Sequence, residues 1–165
     1  MDSQALLAEL PRLRRYARAL LGDRAAADDL VQDTLERAWA RAGQLRPGSA
    51  LRPWLLSIMH NLRVDQIRRA APEVAAFEDE LAQLPTRPTQ SDAIELADLA
   101  VQLGRLPEEQ RAVLLLVALE EMSYAEVATT LGIPQGTVMS RLARGRERLR
   151  RLLDGENQPA LRVVR

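Results

Sequence analysis

The sequence predicts an all-α protein with two small helical domains joined by a flexible acidic linker. Leucine and alanine dominate the 165 residues, glycine occupies only 8 positions and β-branched residues are few. This composition favours helices over strands. Apolar residues recur at helical spacing in several segments, and no segment alternates as a half-buried strand would.

The N-terminal part is predicted to contain three helices. Gly22 suits the end of the first helix because glycine tolerates a left-handed backbone. Asp23 is a favourable N-cap for the second helix. The third helix follows a loop at residues 43–52 and is expected to end before Pro72. The predicted bounds are about Ser3–Leu21, Asp23–Ala42 and, from Pro53, residues 53–71.

A proline-rich acidic segment at residues 72–92 is predicted to link the two domains, with one short helical turn around Phe77–Leu84. Two helices are expected after it, near Asp92–Leu103 and from about Pro107 to Glu121, followed by a helix-turn-helix. The tail contains Gly155 and Pro159 and is expected to be disordered. The predicted divisions are residues 1–71, 72–92, 93–154 and 155–165.

Composition excludes several classes of protein. The chain has no cysteine, which removes disulfides and thiolate metal sites, and it has a single histidine, so no metal or cofactor is expected. No apolar run is long enough for a membrane span and the N-terminus is not that of a signal peptide, so a cytoplasmic location is expected.

The net charge of zero divides into +4 for residues 1–69, −6 for 70–103 and +2 for 104–165. Two basic blocks therefore flank an acidic connector.

Residues 123–153 are typical of a helix-turn-helix. Ser123 and Glu126 form a capping-box pattern, Gly132 suits the turn, and Pro134 suits the first turn of the second helix. The apolar sides of the two helices are expected to be buried: Tyr124, Val127, Ala128 and Leu131, then Val138, Leu142, Leu149 and Leu152.

The second of these helices is strongly basic. Residues 137–153 contain six arginines and one acid, Glu147. Charged stripes are usually solvated faces, but an unpaired excess of arginine favours contact with DNA. The residues predicted to share the outward face are Thr137, Arg141, Arg144, Arg148 and Arg151.

The second helix of the N-terminal part contains the segment ADDLVQDTLERAW at 27–39. Its predicted buried stripe is Leu30, Val31, Leu35, Ala38 and Trp39. Its predicted exposed residues are Asp28, Asp29, Gln32, Asp33, Glu36 and Arg37. This acidic edge suits a basic partner protein, and it equally suits an ordinary solvated helix whose acids favour the N-terminal half.

The third helix carries basic residues toward its C-terminus. Arg68 and Arg69 could offset the helix dipole or hold a DNA backbone. His60 lacks the companions of a zinc site and is interpreted as structural or as a polar contact. The predicted core residues are Trp54, Leu55, Ile58, Leu62 and Ile67. The predicted outward residues are Asn61, Arg63, Asp65, Arg68 and Arg69.

Three segments together resemble a known family: ADDLVQDTLERAW at 27–39, RPWLLSIMHNLRVDQIRR at 52–69 and MSYAEVATTLGIPQGTVMSRLARGRERLR at 122–150. In this order, and over about residues 5–153, the chain resembles the extracytoplasmic-function (group IV) sigma factors of bacterial transcription initiation. The opening segment is also similar to the general stress response type of alphaproteobacteria. The resemblance implies a region 2 domain and a region 4 domain with no region 3 between them.

The resemblance also implies partners and site residues. The partners are core RNA polymerase, through its β′ clamp helices and β flap, promoter DNA and an anti-sigma factor. Polymerase binding would fall on Asp28, Asp29, Gln32, Asp33, Glu36 and Arg37. Capture of a flipped −10 base would fall on Arg46, Ser49, Asn61, Arg63, Asp65, Arg68 and Arg69. Reading of the −35 duplex would fall on Gln135, Thr137, Ser140, Arg141 and Arg144, with Arg148 on phosphate.

One departure and three alternatives accompany this interpretation. With Trp39 and Trp54 expected to be buried, little aromatic surface remains to stack on melted bases, so polar capture of one base is expected. A mimic that titrates an anti-sigma factor would need no DNA-reading arginines. A stand-alone helix-turn-helix regulator leaves segment 27–39 unexplained. An enzyme has little support because a phosphate loop, cysteine and histidine clusters are missing from the sequence.

Overall fold

A computed structural model describes residues 1–74 and 91–157, with side chains described except at 72–74, 91–94 and 156–157. Within these ranges the chain is helical, without strands, which confirms the all-α prediction. The helices are α1 (Ser3–Leu21), α2 (Arg24–Ala40), α3 (Leu51–Val74), α4 (Ser91–Gly104), α5 (Glu108–Ala118), α6 (Tyr124–Leu131) and α7 (Gln135–Asn157). A short 3-10 helix, Ala42–Gln44, follows α2. The predicted helical turn at 77–84 and most of the predicted linker and tail lie outside the described residues.

Local capping sets the starts of α1 and α2. The Asp2 carboxylate accepts from the backbone N–H of Gln4 at 3.0 Å, and that of Asp23 accepts from the N–H of Ala25 at 3.1 Å. Gly22 ends α1 in the left-handed conformation, with φ of 72°. These boundaries agree with the prediction. Helix α2 ends at Ala40, two residues earlier than predicted, and the 3-10 turn covers the remainder.

The predicted end of α3 is wrong. The helix begins at Leu51, so that Pro53 lies in its first turn, and it continues past Pro72 to Val74. A proline near a helix terminus removes a single hydrogen bond and is tolerated more easily than one in the interior. Helices α1, α2 and α3 pack into one bundle around the fully buried side chains of Leu13, Leu30, Leu55 and Met59.

The C-terminal bundle contains α4 to α7. Helix α5 ends at Ala118 rather than at the predicted Glu121, which instead adopts a φ of 55° in a turn. The predicted capping box is confirmed: the Ser123 hydroxyl accepts from the N–H of Glu126 at 3.1 Å, and the Glu126 carboxylate accepts from the N–H of Ser123 at 3.2 Å. Gly132 makes the left-handed turn, with φ of 65°.

Helix α7 differs from the prediction at both ends. Pro134 lies just before the helix, where its carbonyl accepts from the N–H groups of Thr137 and Val138. At the other end α7 continues to Asn157, into the segment predicted to be a disordered tail. Gly145 allows α7 to approach α5 closely, because an added Cβ would lie 3.0 Å from Cδ1 of Leu114.

Two residues predicted to be core are exposed. Trp39 is 57% exposed and Ile67 is 43% exposed, so both predictions are wrong. In α2 the buried stripe is rotated toward Thr34, which is fully buried. Its hydroxyl is satisfied there because it donates to the Leu30 carbonyl at 2.7 Å. The other predicted core residues are buried, or are partly buried and packed against the core: Leu30, Val31, Leu35, Ala38, Trp54, Leu55, Ile58, Leu62, Tyr124, Val127, Ala128, Leu131, Val138, Leu142, Leu149 and Leu152.

The two bundles pack against each other along a seam. Helix α3 lies against α6, and α1 lies against α4 and α5, so that buried residues of both bundles form one continuous core. Arg111 of α5 crosses the seam and donates to the Leu20 carbonyl at the end of α1. Its guanidinium also donates to the carbonyls of Leu103, Gly104 and Leu106. One side chain therefore ties the end of α4 to the end of α1.

Candidate partner and nucleic-acid interfaces

The outer side of α2 presents an acidic face. Asp29 and Asp33 are exposed, and neither has an ion-pair partner in the part of the chain that the structure describes. Gln32, Glu36 and Arg37 are also exposed. Asp28 is half-buried rather than exposed, because Arg18 of α1 lies 3.3 Å from its carboxylate. Five of the six side chains predicted for polymerase binding are thus freely accessible.

Trp39 extends this acidic face and was missed as a surface residue. It lies seven residues after Gln32 and three after Glu36, positions that share one side of a helix. A half-exposed tryptophan beside charged groups is typical of an interface anchor. The sequence signal for exposure of Trp39 was the polarity of Gln32 and Glu36, its neighbours on the helix. Leu35, four residues before Trp39, is apolar and indicated the opposite.

A groove of about 390 Å³ lies between α2 and α3. It brings together predicted polymerase-binding and −10 residues from the two helices. Its lining is Asp33, Glu36, Arg37, Ala40, Leu62, Asp65, Gln66 and Arg69. Three acidic and two basic side chains are among its lining, which suits a polar contact more than an apolar ligand.

Most of the predicted −10 residues are accessible. Arg46 and Ser49 lie in the exposed loop before α3, where the N–H of Ser49 donates to the Arg46 carbonyl at 3.1 Å. The exposed members on α3 are Asn61, Asp65, Arg68 and Arg69.

Arg63 differs from the prediction because it points into the seam. Its Nε lies 3.0 Å from each carboxylate oxygen of Glu108 in α5, and its Nη2 lies 2.8 Å from one of them. The third nitrogen, Nη1, donates to Gln66 at 3.3 Å. The side chain is 28% exposed, so Arg63 is not freely available for DNA in this conformation.

Helix α7 divides the predicted −35 residues into two groups. Gln135, Ser140, Arg144 and Arg148 are exposed. Thr137 and Arg141 are only partly exposed, contrary to the prediction, because they lie toward the packed side of the helix. The Arg141 side chain is 27% exposed and its guanidinium lies 3.9 Å from Glu109.

The second turn of α7 also carries Met139, which is 52% exposed and was not predicted as a contact. It lies beside Ser140, where an apolar group could meet a thymine methyl in a major groove. Its apolar character gave no sequence signal, because methionine at helical spacing is usually buried.

Ion pairs divide the arginines of α7. Arg150 and Arg151 lie 2.8 Å and 3.0 Å from Glu147. Hydrogen bonds from Arg150 lower the pKa of Glu147, so this acid stays ionised and neutralises the C-terminal part of the arginine ladder. Arg144 and Arg148 have no ion-pair partner within the described ranges. The arginines of α7 without an ion-pair partner among the described residues therefore lie in the middle of the helix, before Arg150.

His60 lies where the bundles meet. Burial lowers its pKa, the positive charge of Arg141 lowers it further, and Glu108 opposes both effects. Within residues 1–74 and 91–157, histidine, cysteine and carboxylate side chains form no cluster of three that could hold a metal. A search of the same ranges finds no helix able to cross a bilayer.

Comparison with known proteins identifies the family. The family described as "Sigma2 domain of PhyR" matches residues 6–60, and "Sigma-70, region 4" matches residues 96–149. The chain is 38% identical over 149 residues to the ECF RNA polymerase sigma factor EcfG of Rhodopseudomonas palustris, covering 90% of this chain and 82% of EcfG. The chain belongs to the extracytoplasmic-function sigma factors. As a sigma factor, it directs transcription by RNA polymerase.

Other relatives and structures agree with this assignment. The sigma factor is 40% identical over 144 residues to SigM of Mycobacterium tuberculosis, covering 86% of this chain and 71% of SigM. Its fold is similar to that of the sigma factor RpoE in complex with the anti-sigma factor NepR from Bartonella quintana. The TM-score is 0.78 at 36% identity, over 92% of this chain and 95% of that one. CnrH in complex with the cytosolic domain of CnrY gives 0.67 at 28% identity, over 93% and 87%.

Proposed function

We propose that this sigma factor binds core RNA polymerase through the outer side of α2 and reads promoter DNA with α3 and α7. The observation that carries the proposal is the free acidic face of α2. Two carboxylates without ion-pair partners among the described residues, Asp29 and Asp33, lie on the helix that also exposes Trp39. This combination suits a basic, helical partner surface such as the β′ clamp helices.

The α3 surface and the loop before it are proposed to engage the −10 element. Arg68 and Arg69 supply positive charge beside the exposed amide of Asn61. Extruding one base costs a few kcal/mol, and hydrogen bonds to its edges can offset this cost. Trp39 lies on α2 and Trp54 is partly buried, so polar capture is favoured over aromatic stacking for bases at α3.

Helix α7 is proposed to enter the major groove of the −35 element. In a helix-turn-helix, the N-terminal residues of the second helix contact base edges. The exposed face there carries Gln135, Met139, Ser140 and Arg144, with Arg148 one turn further toward phosphate. Thr137 and Arg141 join this set only after the surroundings of Arg141 rearrange.

The domain divisions follow from these roles. Region 2 is proposed to span residues 1–71 and region 4 residues 93–154, with the connecting segment near the β flap and RNA exit path of the polymerase. The protein is proposed to act by binding alone, with no catalytic chemistry of its own, and in the cytoplasm. A role in a stress response remains a prediction.

An anti-sigma factor is a proposed further partner. RpoE and CnrH, the structural relatives at 36% and 28% identity, were each solved with such a regulator or with its cytosolic domain. A sigma-like mimic is the second candidate, because residues 6–60 match a domain of PhyR. Arg144 and Arg148 of α7, which have no ion-pair partner in the described part of the chain, favour a true sigma factor, since a decoy does not need a basic DNA-reading face.

The proposal is tested by co-migration of the protein with core RNA polymerase on gel filtration. Asp29→Arg/Asp33→Arg should abolish stoichiometric binding, because it reverses two charges at the centre of the proposed contact. Glu95→Arg/Glu121→Arg is the matched control, because it makes the same charge change at exposed sites on the C-terminal bundle. Equal binding by wild type and the α2 variant would refute the proposed interface. A wild type that fails to bind polymerase yet binds an anti-sigma factor would support the mimic.

A further inference from the structure

We propose that Met139 is an oxidation site in the DNA-reading face of α7, and that conversion of its thioether to a sulfoxide weakens binding to the −35 element. The oxidant is a peroxide or a hypohalous acid. The consequence for DNA rests on the proposed function of α7, whereas the oxidation site itself rests on exposure and chemistry.

Met139 differs from the other methionines of the chain because its side chain is open to water. Of the four methionines, Met59 is fully buried and Met122 is 6% exposed, whereas Met139 is 52% exposed. Met1 precedes α1 and lies outside both proposed DNA surfaces. The chain has no cysteine, so its thioethers are the side chains that peroxide oxidises most readily. An oxidant therefore reaches Met139 without any opening of the core.

The neighbours of Met139 on α7 leave its thioether uncovered. A helical side chain leans toward the N-terminus, so Met139 extends over the first turn of α7, which contains Gln135 and Gly136. Gly136 has no side chain, and a Cβ built there would meet nothing within 4 Å. Ala143, one turn after Met139, is small and exposed. Met139 is the one large hydrophobic side chain exposed on the described part of α7.

This part of α7 is where an apolar group can take part in reading DNA. The N-terminal residues of the second helix of a helix-turn-helix contact base edges in the major groove. Those edges carry hydrogen-bonding groups and, on thymine, the C5-methyl group. The exposed side chains of Gln135 and Ser140 suit the hydrogen-bonding groups, whereas the thioether of Met139 suits the methyl group. The contact expected for Met139 is therefore a thymine of the −35 element.

Oxidation replaces this apolar group with a polar one. The sulfur of Met139 attacks an oxygen of hydrogen peroxide, so that an S–O bond forms and the O–O bond breaks. The sulfur loses two electrons, and the peroxide is reduced to water. The sulfoxide oxygen accepts hydrogen bonds from water and must give them up to approach a methyl group, which is unfavourable. A methionine sulfoxide reductase, with a dithiol as electron donor, restores the thioether.

DNA binding and oxidation compete for the same side chain. A thioether packed on a thymine methyl is shielded from water, so the oxidant acts on protein that is not bound to a promoter. A sulfoxide at Met139 faces water in the free protein and leaves the fold intact. A sulfoxide at Met59 or Met122 would lie in the core and would disrupt its packing.

The oxidation site is tested by mass spectrometry after the full-length protein has been treated with hydrogen peroxide. Cleavage after glutamate separates Met122 and Met139 into peptides 122–126 and 127–147. The peptide of Met139 should gain one oxygen atom well before the peptides of Met122 and Met59. The temperature of the thermal unfolding midpoint should not change at that stage. Equal or slower oxidation of Met139 would overturn the proposal.

The consequence for DNA is tested after the peroxide has been removed and core polymerase added. The probe is a duplex that the untreated holoenzyme selects from a pool randomised across the −35 region. Oxidised wild type should bind this duplex about five- to tenfold more weakly than untreated wild type. Met139→Gln should bind as weakly without peroxide, because its amide places a polar group at the same position. A duplex with deoxyuridine in place of thymidine lacks the methyl group and should lose most of the difference.

Met139→Leu keeps an apolar side chain that peroxide does not oxidise, so its binding before and after treatment should be the same. Met122→Leu is the matched control, because it makes the same substitution at a buried methionine of the same bundle. It should lose binding on treatment as wild type does. An equal loss in Met139→Leu, or unchanged binding by fully oxidised wild type, would overturn the consequence for DNA. An untreated holoenzyme that selects no duplex would count against the proposed function, and the peptide masses would still decide the oxidation site.

Discussion

At the scale of single residues, partners distant in sequence decide which charged groups are available. Arg63 has the sequence context of an outward arginine, yet it is taken up by Glu108, 45 residues away. Asp29 and Asp33 meet no such partner among the described residues and keep the exposure that their helical positions predict. Helical periodicity identifies the side of a helix, whereas an interdomain ion pair depends on packing that periodicity does not contain.

His60 gives a pH-dependent prediction. Burial lowers its pKa, so the folded protein holds the imidazole proton less tightly than the unfolded chain, where the pKa is near 6.5. The corresponding stability is complete above that value and is lost as the pH falls below it. The temperature of the thermal unfolding midpoint should therefore decrease as the pH is lowered from about 7.5 to about 5.5. Ordinary carboxylates hardly titrate in this range.

His60→Asn should remove most of that fall, because His60 is the single histidine of the chain. Thermal denaturation followed by circular dichroism at the two pH values measures both proteins. The same fall in wild type and variant would assign the effect to another group.

At the scale of elements, helix termini that depend on local signals were predicted better than termini that depend on packing. The capping box at Ser123 and the left-handed glycines at 22 and 132 lie where the sequence predicts them, because each depends on only a few neighbouring residues. The ends of α5 and α7 depend on packing: α5 stops at Ala118 where the chain turns into the seam, and α7 runs on to Asn157. The rotation of α2 that exposes Trp39 likewise required knowledge of the buried Thr34.

The contact between α5 and α7 gives a packing prediction. Gly145→Leu should destabilise the protein by about 1–3 kcal/mol, because even a Cβ would lie 3.0 Å from Leu114 and 3.3 Å from Gln110. Gly136→Leu is the matched control in the same helix, with open space around its Cα. Urea denaturation should show no destabilisation for the control. Equal stability of the two variants would mean that α7 can shift away from α5 at little cost.

At the scale of the whole molecule, the sequence correctly predicted two helical parts, but it could not predict that they share one core. Each bundle has its own amphipathic helices, so the pattern of apolar residues is satisfied with or without the seam. The two bundles are joined by Arg111, whose guanidinium donates hydrogen bonds to carbonyls at the ends of two helices from different bundles. An arginine in the apolar segment EEQRAVLLLVA gives no sequence signal of that role.

Removal of the Arg111 guanidinium should let the two bundles unfold in separate transitions. Arg111→Met keeps an apolar side chain but leaves four carbonyl groups without their hydrogen-bond donor. We therefore expect the free energy of unfolding to decrease by about 3 kcal/mol or more. Arg146→Met is the control, since Arg146 is exposed and has no partner within residues 1–74 and 91–157. Calorimetry should show one transition for wild type and control, and two for Arg111→Met. A single, unshifted transition in Arg111→Met would mean that the seam does not couple the bundles.

The exposure of Trp39 has a spectroscopic consequence. Indole emission depends on contact with water, and this indole lies beside the acidic face that is proposed to meet polymerase. The chain contains one other tryptophan, Trp54, which packs against the core of the N-terminal bundle and supplies a steady background. The proposed docking surface therefore contains an intrinsic fluorophore, and its occupancy can be followed in the unlabelled protein.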